Sequence, residues 1–391
     1  MIHREKHLDD LENAEYRGNV FDRTLPVHVA GGMLFKYEQL DEALGGLHNV
    51  RSKGTHVNVI IDIEPILRSC AVKQFVYEYS LMEKADKDLI IIYALMKVVA
   101  HYRRYFSRAG IHSKVYCYHS LKPSSHATDL MDKEIGNLRL YKFSSTPFYS
   151  KSIEDDILKA LKKFSVICKN TIGVYSICTN NIFAPSMPHL IMEAQKESKG
   201  QVGGNFIISS NPLVYQYASI NYKTWHDDVL VLNPQGRNVL SSDTIIEAYL
   251  YSNHKKWYKD NKLNTYPMTP YYIQLVAVLG IPKIGVPSCR AGTKTKIFDF
   301  FLNELPKYGF DEMVEKICEF LKTSTKQEQF KKNMELCDVT MMGAKSTQAE
   351  LTLLNHDIMD FTGTNISRQL SMLFGDKFAS SNFVIINFLR G

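Results

Sequence analysis

Between Val57 and Asn233, short β-branched runs alternate with longer segments of helical period, and this alternation restricts the fold more than any other feature. VNVIID (57–62) is short, apolar and β-branched, the pattern of a central strand buried on both faces. It ends in Asp62-Ile63-Glu64, and Pro65 suits the first turn of a helix. The helical stretch DLIIIYALMKVVAHYRRYFSRAG follows, closed by Gly110 as a C-cap, and KVYCYHS (114–120) is the next strand. Strand, helix and strand in that order predict parallel pairing with right-handed crossovers. The pattern then repeats. SIEDDILKALKKF (152–164) and MPHLIMEAQKES (187–198) have helical period, while TIGVYSIC (171–178), NFIISS (205–210) and DVLVLN (228–233) read as strands.

The fold class expected is therefore α/β: a parallel-type central sheet flanked by helices, followed by a mainly helical region. Residues 1–55 read as a charged arm broken by Gly31-Gly32 and Gly45-Gly46, one that packs on a partner or on its own domain. Residues 56–240 form the α/β domain, 241–340 the helical region and 341–391 a C-terminal extension. In that extension NFVIINFLRG has the composition of a last strand added to a sheet edge.

Composition narrows the function classes only modestly. The 391 residues are 45% hydrophobic, enough for a substantial core, and the net charge of +6 permits an anionic partner without demanding one. Seven scattered cysteines without a C-x-x-C pair argue against a disulfide framework or a structural zinc site and fit a reducing compartment. No apolar segment approaches the roughly twenty residues of a membrane span, and the polar N-terminus lacks a signal-peptide core. The expectation is a soluble, intracellular protein without a membrane partner. Its richness in Asn, Lys, Tyr and Ile suits an AT-rich genome such as that of a large virus or phage.

Three groups of residues carry chemistry. Asp62 and Glu64 stand where a parallel sheet binds ligands, at a strand's carboxyl end, and their oxygens suit a divalent cation. The competing role for Asp62 is to cap the helix that opens near Pro65. In the loop AGTKTK, Gly292 permits close approach of the backbone, and Thr293, Lys294, Thr295, Lys296 and Arg290 surround a helix start suited to phosphate. The bland reading is a solvated basic helix end. HYRRYFSR places Arg104 and Arg108 on one helical face with Arg103 close by, a stacking and phosphate-contact surface. Its alternative is that Tyr102, Tyr105 and Phe106 pack in the core while the arginines are solvated. HKKWYKDNK (254–262) is a further basic-aromatic run open to the same two readings.

In their order along the chain, several segments resemble the PIN-like / flap-endonuclease (5′-3′ exonuclease) family. VNVIIDIEPILRSC is similar to its first strand and lead aspartate, and HYRRYFSRAGIHSKVYCYHS to its long helix, turn and second strand. NFIISSNPLVYQYAS is similar to the segment with the Asp-x-Asp and Leu-Leu-Gln motifs, with Gln216 kept. YYIQLVAVLGIPKIGVPSCRAGTKTKIFDFFLNEL resembles the helix–turn–helix that grips the duplex. There Gly285, Val286 and Pro287 match the Gly-Val-Pro step, and Gly292 to Thr295 match the Gly-x-Lys-Thr helix start. The resemblance implies Asp62, Glu64 and Glu193 as remnants of a metal site and Mg²⁺ or Mn²⁺ as cofactor if the chain is active. It implies nucleic acid, duplex or forked DNA foremost, as partner.

The sequence departs from that family where catalysis needs charge. Two-metal hydrolysis requires several converging carboxylates. Gln195 and Lys196 stand where aspartates belong, Asn211-Pro212 replaces the Asp-x-Asp, and Leu279-Gly280-Ile281-Pro282 lacks a further aspartate. Asp129, Asp132, Glu134, Asp227 and Asp228 are other acids whose spacing assigns them no site. No G-x-S-x-G, H-E-x-x-H, G-x-G-x-x-G or complete phosphate-loop motif occurs. The expectation is a nucleic-acid-binding protein with an eroded metal site and no cofactor, a catalytically inactive subunit of a DNA- or RNA-processing assembly tethered through its arm. The alternatives are an active Mg²⁺- or Mn²⁺-dependent 5′-3′ exonuclease or flap endonuclease, and a structural interaction subunit of a viral, replication or transcription complex.

Overall fold

The computed structural model describes residues 33–69, 87–119, 151–178, 184–196, 202–219, 229–234, 237–261, 263–281, 286–344, 366–374, 379–380 and 382–390. Gly31, Gly32, Asp129, Asp132, Glu134, Asp227, Asp228, Pro282 and Gly285 lie outside them, as do the side chains of Pro65, Gln195 and Lys196.

Helices α1 (Tyr37–Leu44) and α2 (Leu47–Lys53) precede strand β1 (His56–Asp62), which leads into the short α3 (Glu64–Ser69) and the long α4 (Lys87–Ser107). Then come β2 (His112–His119), α5 (Lys151–Lys169), β3 (Val174–Cys178), α6 (Met187–Lys196) and β4 (Val202–Ile208). A 3₁₀ segment (Pro212–Ala218) separates β4 from β5 (Val229–Asn233) and β6 (Asn238–Leu240). The remaining helices are α7 (Ile245–Asn253), α8 (Lys255–Asn261), α9 (Tyr272–Leu279), α10 (Lys294–Asp299), α11 (Met313–Leu321), α12 (Ser324–Cys337), α13 (Val339–Ala344), α14 (Ile366–Phe374) and α15 (Phe383–Arg390).

The strands form one sheet in the order β3-β2-β1-β4-β5-β6, parallel except for β6, which pairs antiparallel with β5. The sheet flanked by helices and followed by a helical region is the architecture expected. Because β1 is central and the chain winds outward first to β2 and β3, then to β4 and β5, the direction of winding reverses between β1 and β4. That reversal opens a crevice at the carboxyl ends of these two strands, where doubly wound sheets bind ligands.

Strand periodicity divides the core in two. Val57, Val59 and Ile61 of β1 face a cluster with α4, α5, α1, α2 and the C-terminal helices. Ile60 faces the opposite cluster, with α6, the 3₁₀ segment and helices α7, α9 and α10 to α13. Burial on both faces explains why the central strands are almost continuously apolar. Met33, Phe35, Leu40 and Val50, within the stretch that reads as an arm, are buried in the first cluster.

The strand expected in NFVIINFLRG is instead helix α15. Asn382 caps it, its Oδ1 accepting the N–H groups of Val384 (2.9 Å) and Ile385 (3.3 Å), and Ile385 and Phe388 bury one helical face against α4. The β-branched composition is outweighed by the cap and by a three-residue apolar spacing that only a helix turns toward one side. Among the described residues no helix is long and apolar enough to cross a membrane.

Candidate nucleic-acid interface

Asp62 ends β1 inside the crevice and is 5% exposed. One carboxylate oxygen accepts the N–H of Glu64 at 3.1 Å, the capping arrangement weighed from the sequence. The other accepts the hydroxyl of Ser209 at 2.7 Å, from just beyond the carboxyl end of β4. Ser209 Oγ in turn accepts the N–H of Asn211 at 3.0 Å. Asn211 Oδ1 accepts the N–H of Leu213 at 3.0 Å and so caps the 3₁₀ segment. The amide that stands in place of the expected aspartates therefore holds a turn together. Ile63 N–H donates to Tyr118 O at 3.1 Å and ties the same end of β1 to β2.

Glu64 lies half-buried in the first turn of α3, and Glu193 half-buried on α6. Among the described residues no three His, Cys, Asp or Glu side chains gather as a metal-binding group. The donor chemistry at the crevice also fits a pair of divalent ions poorly. Beyond β4 the chain offers two serines and a capping asparagine, and a neutral oxygen neutralises no charge of a hard cation.

The second candidate lies beyond α9. Gly280, at φ 74°, ends that helix, and Ile281 and Val286 exchange backbone hydrogen bonds of 2.8 and 3.2 Å, folding the chain back. Asn333 of α12 is buried beneath this turn and donates to Ala277 O at 2.7 Å and Pro287 O at 2.6 Å. Cys289 N–H donates to Val278 O at 3.0 Å. From this fixed base Arg290, Gly292, Thr293, Thr295 and Lys296 are exposed, with Lys294 half-buried. Thr293 caps α10, its hydroxyl oxygen accepting the N–H of Lys296 at 3.4 Å. The structure thus presents the loop residues named from the sequence in one exposed stretch.

The helical region docks on the crevice side of the sheet. Tyr272 at the start of α9 donates to Pro212 O at 2.8 Å. Gln216, 2% exposed, donates to Cys337 O at 2.8 Å and accepts the N–H of Val339 at 3.2 Å. Its side chain therefore joins the 3₁₀ segment to the junction of α12 and α13. That role cannot be read from a glutamine in sequence, because the partners are main-chain groups far along the chain.

Of the arginines of α4, Arg104 and Arg108 are exposed and Arg103 is buried. Arg103 is 4% exposed and donates to Phe388 O at 2.6 Å, holding the last turn of α15, and burial pushes its guanidinium down to about 10. Arg104 lies over the Phe383 ring at 4.2 Å and Arg108 over Tyr37 at 5.0 Å. Tyr102, Tyr105 and Phe106 are buried, as in the core alternative. In addition, α4 runs into the amino end of β2, so these arginines lie at the edge of the sheet opposite the crevice. They form no basic face with the loop of residues 290–296.

No protein-family profile and no curated protein matches the chain. Solved structures do. A flap endonuclease of bacteriophage T5, in a pseudo-enzyme–product complex with DNA and metal ions, aligns with a TM-score of 0.49 and 13% identity, over 78% of this chain and 99% of that one. The T5 protein co-crystallised with metal ions gives 0.47 and 12%, over 78% and 100%. A mutant of the T5 5′-exonuclease gives 0.44 and 13%, over 78% and 99%. They are nucleases of the group that the sequence resembles. A likeness at this level gives no residue of the present chain a role.

Proposed function

We propose that this chain is a nucleic-acid-binding protein on a 5′-nuclease type of scaffold, one that works without two-metal hydrolysis as a subunit of a DNA- or RNA-processing assembly. The observation that carries the reading is the Asp62–Ser209 pair. At the crevice where the resemblance places converging carboxylates, the lead aspartate is committed to a helix cap and to a serine hydroxyl. The β4 end supplies Ser209, Ser210 and Asn211. The cationic loop keeps Arg290 and Lys296 exposed and Lys294 half-buried on a hydrogen-bonded base, an arrangement suited to contact with a phosphate backbone.

Loop lysines and arginines hold phosphates by charge and read no bases, so binding should weaken steeply with salt and depend little on sequence. The test is binding and cleavage of a labelled forked duplex, with Mg²⁺ or Mn²⁺ and with EDTA, by the wild type and Asp62→Ala. Binding that persists in EDTA, declines with salt and brings no cleavage supports the reading. Cleavage abolished by EDTA and by Asp62→Ala overturns it in favour of a working nuclease. Absence of both binding and cleavage overturns it in favour of a protein-interaction subunit.

A further inference from the structure

The basic-aromatic run of α8 and the loop before α10 are distant in sequence, and the fold sets them side by side. Trp257 of α8 stacks on Phe298 of α10, with ring centroids 4.6 Å apart and planes within 16° of parallel. His254, just before α8, is held well below the usual imidazole range, at about 4, by burial first and then by the charge of Lys294. Lys294 and Phe298 are four residues apart on α10 and share a helical face.

That packing decides where the lysines of α8 go. Trp257 and Tyr258 turn inward against the core, which leaves Lys255, Lys256 and Lys259 exposed on the outer side. Lys255 and Lys259 are one turn apart, with Lys256 one step round the helix. Lys255 also lies over the exposed Tyr251 ring at 4.8 Å, which gives the surface an aromatic plate beside its charge. Across the Trp257–Phe298 contact are Arg290, Lys294 and Lys296. The exposed acids on these two helices are Asp260 and Asp299, while Glu247 is engaged by the Tyr258 hydroxyl. Cations therefore outnumber carboxylates on this part of the surface, and among the described residues no ion pair neutralises Lys255, Lys256, Lys259, Lys294 or Lys296.

We propose that the lysine face of α8 and the loop of residues 290–296 form one continuous surface for the phosphate backbone of a nucleic acid, the Trp257–Phe298 stack fixing their relative position. The proposal rests on the nucleic-acid-binding reading and extends it to residues outside the loop. A phosphate backbone is the ligand that matches a run of exposed ammonium groups beside an aromatic ring, with charge supplying affinity and the ring a stacking surface. The lysines of α8 hold phosphates beyond those held by the loop, and neither segment needs a metal ion to do so.

The test is fluorescence anisotropy of a labelled mixed-sequence DNA duplex, titrated across a range of KCl in EDTA. Three proteins are compared: the wild type, a variant with Lys255→Gln, Lys256→Gln and Lys259→Gln, and a variant with Lys36→Gln, Lys53→Gln and Lys162→Gln. The last carries the same loss of charge on the other face of the sheet. Since each neutralised phosphate contributes about 0.9 to the slope of log affinity against log salt, the α8 variant, with three lysines removed, should be shallower by up to about 2.7 and bind about 10- to 100-fold more weakly at moderate salt. The control variant should keep most of the wild-type slope, and thermal unfolding should show both variants folded. A wild type that binds and an α8 variant with an unchanged slope overturn this inference and leave the broader reading standing. A wild type that binds no duplex at any salt overturns both. Polyglutamate competing as well as duplex overturns the assignment of the surface to nucleic acid.

Discussion

Replacing Gln216 with methionine should loosen the joint between the α/β sheet and the helical region, by an amount the structure allows to be worked out. The glutamine donates to Leu213 O and Cys337 O and accepts the N–H of Val339, and both Cys337 and Val339 are buried. Methionine has nearly the same length and volume, so Gln216→Met removes hydrogen bonds without opening a cavity. The Leu213 carbonyl lies within the 3₁₀ segment and has local donors to turn to. The Cys337 carbonyl and the Val339 N–H lie at the junction of two helices and have no such alternative. Leaving a buried backbone donor or acceptor unpaired costs about 1–3 kcal/mol. Against this, a thioether is easier to bury than an amide, by roughly 1 kcal/mol. With two such groups the net loss expected is about 1–5 kcal/mol, a large share of the roughly 5–15 kcal/mol that holds a domain folded. Urea unfolding measures it as a lower midpoint at unchanged slope. Amide exchange adds a local readout, since the Val339 N–H should exchange faster in the variant. A stability loss below about 0.5 kcal/mol, or an unaltered exchange rate at Val339, would refute the reasoning.

Two glycines of the same loop should respond differently to alanine. At Gly280, φ 74°, a Cβ would meet Val286 O at 2.6 Å and Pro287 C at 2.7 Å, so strain and backbone overlap together should cost about 3 kcal/mol or more in urea unfolding. At Gly292, φ 132°, a Cβ meets nothing within 4 Å, and a loss of about 1 kcal/mol is expected, with weaker duplex binding as the larger effect. Arg103→Met should cost about 1–3 kcal/mol by leaving Phe388 O without its donor, and limited proteolysis should show α15 cut sooner than in the wild type. Burial holds His101 and His119 at about 4, below the 6.5 of an unfolded chain. As pH falls from about 6.5 toward 4 the unfolded chain therefore takes up protons that the fold refuses, and stability drops across that window. Urea midpoints should fall in the order pH 7.5, 6 and 5, and His101→Gln should reduce the decline.

Local pattern alone determined most of the secondary structure and the class of the fold. The β-branched runs at 57–62, 114–120, 171–178, 205–210 and 228–233 became strands β1 to β5 with shifted ends, because each is short, apolar and set between helix-period segments. It also located Asp62 at a strand's carboxyl end and the cationic residues at the start of α10, since both follow from where an element stops. Tertiary structure decided what those residues do. Asp62 meets Ser209 only because β4, and not β2 alone, lies beside β1, and strand order is a long-range property that no local segment encodes. Arg103 belongs to a basic run whose arginines read as solvated or phosphate-contacting by sequence, yet the C-terminal helix covers it and takes its guanidinium to Phe388 O. NFVIINF has strand composition, but Asn382 caps it and α4 offers the apolar face on which a helix, with its neighbours three residues apart, buries more than an edge strand could. The lysines of α8 join the loop at Lys294 only through a tryptophan and a phenylalanine that find each other in the folded chain. Periodicity reports which side of an element is apolar. Which partner covers that side is settled by the whole core at once, and in this protein the partner decided which charges are buried and which remain for a ligand.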